Sequence, residues 1–166
     1  MNIQRMDVLR SELDRPALRT LKGKKNLVGA EIGVQYGINA RDILEKYDIK
    51  TLYLIDPYID LTDELAKEYL NKFDDKIIWI KKLSWDAVND IPNDLDFVYI
   101  DGDHNYEAVK KDLEMYYPKV KKGGLFSGHD YANRAPGVVK AVNEFFANKK
   151  EAIHSGGRWD WFVFKE

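Results

Sequence analysis

Cysteine is absent from the 166 residues of this chain. That excludes disulfides, thiolate metal sites and a cysteine nucleophile, and it fits a reducing compartment. No apolar run approaches the roughly 18 residues of a membrane span. The opening residues alternate charge with hydrophobics, so neither a span nor a secretory signal is expected, and the chain reads as cytoplasmic. A long basic run is missing too. Lys22, Lys24 and Lys25 form the densest cluster near the start and read as a solvated linker, while the net charge is −2. Counterion release, the usual driving force for nucleic-acid binding, has little to act on here. No internal repeat or low-complexity segment interrupts a composition that is 45% hydrophobic and 33% charged, which is that of one globular unit.

What is present is alternation. Short apolar runs at 27–32, 51–55, 76–80, 95–100 and 124–127 are separated by helix-length stretches near 39–47, 62–72, 84–90, 105–118 and 136–147. Tyr106, Val109, Leu113 and Tyr116 or Tyr117 follow the spacing of one buried helical face. Pro136 suits a first helical turn, with Val139, Val142 and Phe146 facing inward. Strands alternating with helices predict βαβ units and a mainly parallel sheet. The end differs: 152–154 and 159–164 flank Ser155-Gly156-Gly157-Arg158, a glycine turn for an antiparallel hairpin. The expected fold is α/β, a Rossmann-like doubly wound sheet closed by that hairpin. Residues 3–13 and 16–22 read as two short helices of an N-terminal extension, 1–25, which covers a sheet edge, the mouth of a site or a partner subunit.

Chemistry gathers at strand tips, where open α/β sheets place their ligands. Ile100 is followed by Asp101-Gly102-Asp103-His104, and Gly124-Leu-Phe-Ser-Gly128 by His129-Asp130-Tyr131. After the first strand comes Glu31-Ile-Gly33-Val34-Gln-Tyr-Gly37, then a helix with Asn39 as its expected cap. Gly33 and Gly37 permit a tight turn and close backbone approach. Glu31 stands where dinucleotide sites carry their first glycine, and a carboxylate there repels a diphosphate but suits a cation. Asp56 ends the second strand before Pro57; an acid at that tip can take both hydroxyls of a ribose, or simply shape the turn. A glycine loop and ribose acid without a pyrophosphate fingerprint point to a nucleoside cofactor lacking a diphosphate, and S-adenosylmethionine is the obvious one.

With those residues in place, the chain resembles the class I S-adenosylmethionine-dependent methyltransferases. More narrowly, it is similar to the small bacterial group that includes macrolide-sugar and aminocoumarin-sugar O-methyltransferases. The resemblance covers roughly 26–166 and rests on Ile100 to Tyr106, Lys122-Gly123-Gly124, Gly128 to Tyr131, and the Glu31, Gly33 and Gly37 signature. It implies a seven-stranded sheet with an antiparallel last strand. It also implies that Glu31 and the loop Gly33–Gly37, Val34 included, hold the methionine moiety. Asp56 holds the ribose, Ser84 and Trp85 flank the adenine, and Asp101 borders the same pocket. Relatives often carry glycine and a small polar or acidic residue where this chain has Leu83-Ser84; Ser84 as a helix cap and Trp85 as core are the alternatives. Metal-dependent relatives imply Asp101, His129 and Asp130 as ligands for Mg²⁺ or Mn²⁺. Asp103 is then the implied base, with His104, the easier base at neutral pH, in reserve.

The implied reaction is methyl transfer to a hydroxyl of a small molecule or sugar. No nucleic-acid or membrane partner is expected, and a homo-oligomer remains open because the chain lacks the insertions that cap a substrate. Arg134 lies in a loop suited to an anionic acceptor or is a plain surface arginine; His154 reads as a strand residue. The rival readings are a nicotinamide-dependent Rossmann oxidoreductase, a non-catalytic binding domain with the same fold, and a metal-dependent hydrolase.

Overall fold

A computed structural model describes residues 1–59 and 62–166. In chain order the elements are α1 (Ile3–Ser11), α2 (Pro16–Arg19), β1 (Leu27–Ile32), α3 (Ile38–Lys46), β2 (Ile49–Ile55), α4 (Thr62–Leu70), β3 (Ile77–Ile80), α5 (Ser84–Ala87), β4 (Leu95–Ile100), α6 (Tyr106–Tyr116), β5 (Val120–Gly128), α7 (Pro136–Phe146), β6 (His154–Gly156) and β7 (Asp160–Phe164). The seven strands form one sheet in the order β3-β2-β1-β4-β5-β7-β6. β1 to β5 pair in parallel, and β7 runs antiparallel to both β5 and β6. The expected Rossmann-like sheet with its closing hairpin is therefore the fold observed.

Strand periodicity decides which layer each side chain joins. Along β4, Leu95, Val98 and Ile100 enter a core shared with α6 and α7, while Phe97 and Tyr99 enter the core under α1 to α4. Along β2, Tyr53 and Ile55 face the first core and Leu52 and Leu54 the second. Both faces being covered, these strands read as unbroken apolar runs. The chain reverses its winding between β1 and β4, which lie side by side. Their carboxyl ends form the crevice where such sheets receive ligands.

Several boundaries differ from the sequence reading, each for a local reason. β5 starts at Val120 rather than 124, because its first turn carries exposed Lys121 and Lys122, which hide it from hydrophobic pattern. The helix expected over 105–118 ends at Tyr116 and tightens into a 3-10 turn at Tyr117–Lys119, since Pro118 lacks the N–H an α-helix needs. Likewise 84–90 divides into α5 and a 3-10 turn, Val88–Asp90. On α7 the buried residue is Val138, with Val139 only half-buried beside Val142 and Phe146. The hairpin turn falls at 157–159 instead of 155–158, with Gly157 and Trp159 both at positive φ. Asn39 does not cap α3. Gly37, left-handed at φ 75, occupies the cap position and Asn39 lies inside the helix.

The N-terminal extension is integral to the fold. Met6 of α1 and Ala17 and Leu18 of α2 are fully buried. Tyr69 Oη donates to Asp7 at 2.7 Å, and Arg10 pairs with Glu45 of α3. The Ala17 N–H donates to Asp160 Oδ2 at 3.2 Å, at the start of β7.

Candidate active site

A cavity of about 710 Å³ opens at the carboxyl ends of the central strands, within the range of small-molecule and cofactor sites. Its floor is the glycine loop. Gly33 has φ 84, and a Cβ there would stand 2.2 Å from the Asp101 carbonyl oxygen. Only glycine fits, because β1 and β4 turn out of the sheet in contact with each other. The N–H groups of Val34 and Gln35 donate to Asp56 Oδ2 at 2.7 and 2.8 Å, and Tyr58 N–H donates to Oδ1 at 2.6 Å. Asp56 thus shapes the loop first. A carboxylate has about four lone-pair sites, so capacity remains on Oδ1 for a ribose hydroxyl.

Glu31 lies at the base of the cavity, 1% exposed. Asn39 Nδ2 donates to Oε1 at 3.2 Å, and Oε2 has no partner among the described residues. Burial pushes the carboxyl up to about 8, with the Asn39 hydrogen bond opposing and Asp101 adding to the shift. An unpartnered buried carboxylate oxygen is costly unless a donor arrives. It fits an ammonium group and not a diphosphate.

At the other end of the cavity Ser84 and Trp85 line the wall. Ser84 is the first residue of α5 rather than its cap. Its hydroxyl donates to Asp112 Oδ1. Asp112, 2% exposed, also lines the cavity, and burial pushes it up to about 6. Trp85 is half-buried with Lys111 Nζ 4.3 Å from its ring centroid, so it is wall rather than core.

The mouth is charged. Donor atoms of Asp101, His104 and Asp130 lie within 4.8 Å of one another, and His104 Nε2 is 3.0 Å from Asp130 Oδ2. His129 Nδ1 sits 3.1 Å from Asp130 Oδ2 and 3.6 Å from Asp101 Oδ1, while its Nε2 donates to the Arg158 carbonyl at 2.6 Å. Burial pulls the His129 imidazole down, but Asp101 outweighs it and leaves the group raised. Burial also works upward on Asp130, and the neighbouring His129, Arg134 and His104 hold it below its usual range. Asp130 itself is left-handed, φ 58. Arg134 pairs with Asp130 and stacks 3.6 Å over the Trp159 ring. Asp103 Oδ1 accepts from Asn105 N–H at 2.9 Å and Nδ2 at 2.7 Å, which tightens the turn into α6. His129, the imidazole expected beside Asp101 and Asp130, lies 3.6 and 3.1 Å from them but commits its Nε2 to the Arg158 carbonyl. The three residues whose donor atoms converge are Asp101, His104 and Asp130, with His104 in its place. Two carboxylates and an imidazole are a donor set that accommodates Mg²⁺ or Mn²⁺.

Asn39, Asp112 and Arg15 also line the cavity, and residue pattern does not mark them as site residues. Asn39 reads as a helix cap by its residue type. Asp112 left a signal, an acid on the buried face set by Val109, Leu113 and Tyr116. Arg15 left none beyond preceding Pro16.

Comparison with known structures agrees with this architecture. A putative caffeoyl-CoA O-methyltransferase from Staphylococcus aureus superposes with a TM-score of 0.72 at 17% identity, covering 100% of this chain and 93% of that one. The O-methyltransferase NovP gives 0.71 at 20%, covering 98% and 79%. An S-adenosylhomocysteine-bound methyltransferase of Podospora anserina gives 0.74 at 12%, covering 99% and 87%. These likenesses speak to fold. In sequence, the chain is 34% identical over 143 residues to an uncharacterised protein of Acanthamoeba polyphaga mimivirus, across 80% of this chain and 65% of that one, and so spans about two thirds of that relative's length. A family model described as a methyltransferase domain matches residues 30–131, the stretch from β1 to the tip of β5, and the chain belongs to that methyltransferase family.

Proposed function

We propose that this methyltransferase uses S-adenosylmethionine and delivers the methyl group to a hydroxyl oxygen of a small molecule or sugar. The observation that carries the cofactor is Glu31, whose buried, unpartnered Oε2 faces a cavity of cofactor size. When bound, S-adenosylmethionine supplies an electrophilic methyl on a sulfonium. Glu31 and Asn39 receive the ammonium of its methionine moiety, the loop from Gly33 to Gly37 lies along that moiety, and Asp56 takes a ribose hydroxyl. Ser84, Trp85 and Asp112 border the adenine. In the nicotinamide alternative Glu31 itself would face the diphosphate, which a carboxylate repels.

The oxygen acceptor is supported by the cluster at the mouth. Asp103 takes the acceptor's proton, with its Oδ2 free of the turn that Oδ1 holds; His104 is the other base only where it holds no ion. Asp101, His104 and Asp130 would hold a divalent ion, which lowers the pKa of a bound hydroxyl. Neither nucleic acid nor membrane is a partner in this reading, and the setting is cytoplasmic; a homo-oligomer closes the open acceptor side. Among the described residues no helix is long and apolar enough to cross a membrane. The test is mass spectrometry of sugar and phenol hydroxyl acceptors incubated with the protein and cofactor, with and without EDTA. Addition of one methyl to oxygen, lost with EDTA, is the expected result. Methylation at nitrogen or carbon would refute the oxygen assignment, and EDTA-insensitive transfer the metal.

A further inference from the structure

We propose that Arg15, in the N-terminal extension, binds the α-carboxylate of the cofactor's methionine moiety while Glu31 receives its ammonium. This rests on the reading of the cavity as an S-adenosylmethionine site. The Arg15 side chain lines the cavity and is only 10% exposed. Among the described residues its Nε has no partner, and its nearest carboxylate contact, Nη2 to Asp101 Oδ2, is 4.0 Å. That exceeds a charge-assisted hydrogen bond by more than an ångström, on the order of 2.8 Å being usual. Arg15 and Glu31 form no ion pair with each other, yet both carry an unpartnered buried atom of opposite charge and line the same cavity. A buried charge left so is unfavourable by itself. A zwitterion with ammonium and carboxylate on one carbon satisfies both at once. The planar guanidinium suits the carboxylate, which it can meet with two parallel N–H bonds.

The position of Arg15 is built. Pro16 opens α2 directly behind it, and the Ala17 N–H is held by Asp160. Asp160 is fully buried and its other oxygen accepts from Tyr99 Oη at 2.7 Å. The Arg15 guanidinium lies 5.9 Å from the Tyr99 ring centroid. Leu9, Glu12 and Leu13 reach the same cavity from α1 and the segment after it. The extension, outside the matched family segment at 30–131, thereby becomes part of the cofactor site.

The experiment is calorimetric titration of the full chain with S-adenosylhomocysteine and with 5′-methylthioadenosine, which lacks the amino-acid moiety. Arg15→Gln should weaken S-adenosylhomocysteine by about 30-fold or more and leave 5′-methylthioadenosine unchanged, with Arg15→Lys recovering part of the loss. Equal weakening of both ligands, or an S-adenosylhomocysteine change under about threefold, overturns the proposal. Decarboxylated S-adenosylhomocysteine repeats the question on the unsubstituted protein, independent of any folding defect; binding as tight as that of the parent also overturns it. If the unsubstituted protein binds none of the three, the cofactor reading itself fails, and this proposal with it.

Discussion

The two ends of the acidic crevice handle charge in opposite ways. At the base, Glu31, Asn39 and Arg15 are buried and each keeps an atom without a partner. At the mouth, Asp101, His104, His129, Asp130 and Arg134 are knitted into contacts with one another. Unpartnered buried charge is tolerated where a ligand of fixed charge completes it. A self-satisfied cluster instead loosens or reorganises when an ion or acceptor arrives. The base is therefore incomplete without a ligand of matching charge, and the mouth is complete without one.

The difference can be tested by breaking each end. Gly33→Ala should have the largest effect, because a Cβ meets the Asp101 carbonyl at 2.2 Å and φ is 84; thermal and denaturant unfolding should show a loss of about 3 kcal/mol or more. Asp103→Asn comes next. Asparagine keeps an Oδ1 to accept from Asn105, so the turn persists while the base is lost. Turnover should fall about 100-fold or more, with S-adenosylhomocysteine affinity held within about threefold; unchanged turnover would transfer the role to His104.

Glu31→Gln should weaken S-adenosylhomocysteine about 100-fold at the pH where Glu31 is ionised without lowering the melting temperature, since glutamine is a neutral group of the same size as the protonated carboxyl of the ligand-free chain. A fall in stability with intact affinity would reverse the assignment of the base. A pH series sharpens the same contrast. Burial raises folded Glu31 to about 8, so the folded chain retains a proton that the unfolded chain has already released. Its contribution to stability is full below the unfolded glutamate range and is lost as pH rises through about 8. Ligand affinity should move the other way, rising with pH as Glu31 ionises, and Glu31→Gln should flatten both trends. Ser84→Ala is the mildest change, with an affinity loss of about fivefold if the Ser84–Asp112 pair orders the adenine wall.

Much of this was legible from residue pattern. The strand tips Asp101, His129 and Asp130, the loop at Gly33 and the hairpin follow from runs of apolar residues and the glycines and acids that end them. What stayed hidden depends on tertiary contact. His104 joins Asp130 only because β4 and β5 are neighbours in the sheet. Asn39 is of a type that favours caps, but Gly37 takes the left-handed cap position and Asn39, inside the helix, donates to Glu31. Arg15 carries no local pattern at all; its burial arises from Asp160, far along the chain, anchoring α2.

The most direct measurement is calorimetry of S-adenosylhomocysteine with the unsubstituted chain and with Glu31→Gln, at about pH 6 and about pH 8, on either side of neutrality. Saturable micromolar binding that tightens with pH and is lost in the variant is the predicted result. No binding at either pH, or equal binding by the two proteins, would contradict the assignment of Glu31 as the cofactor's buried counter-charge.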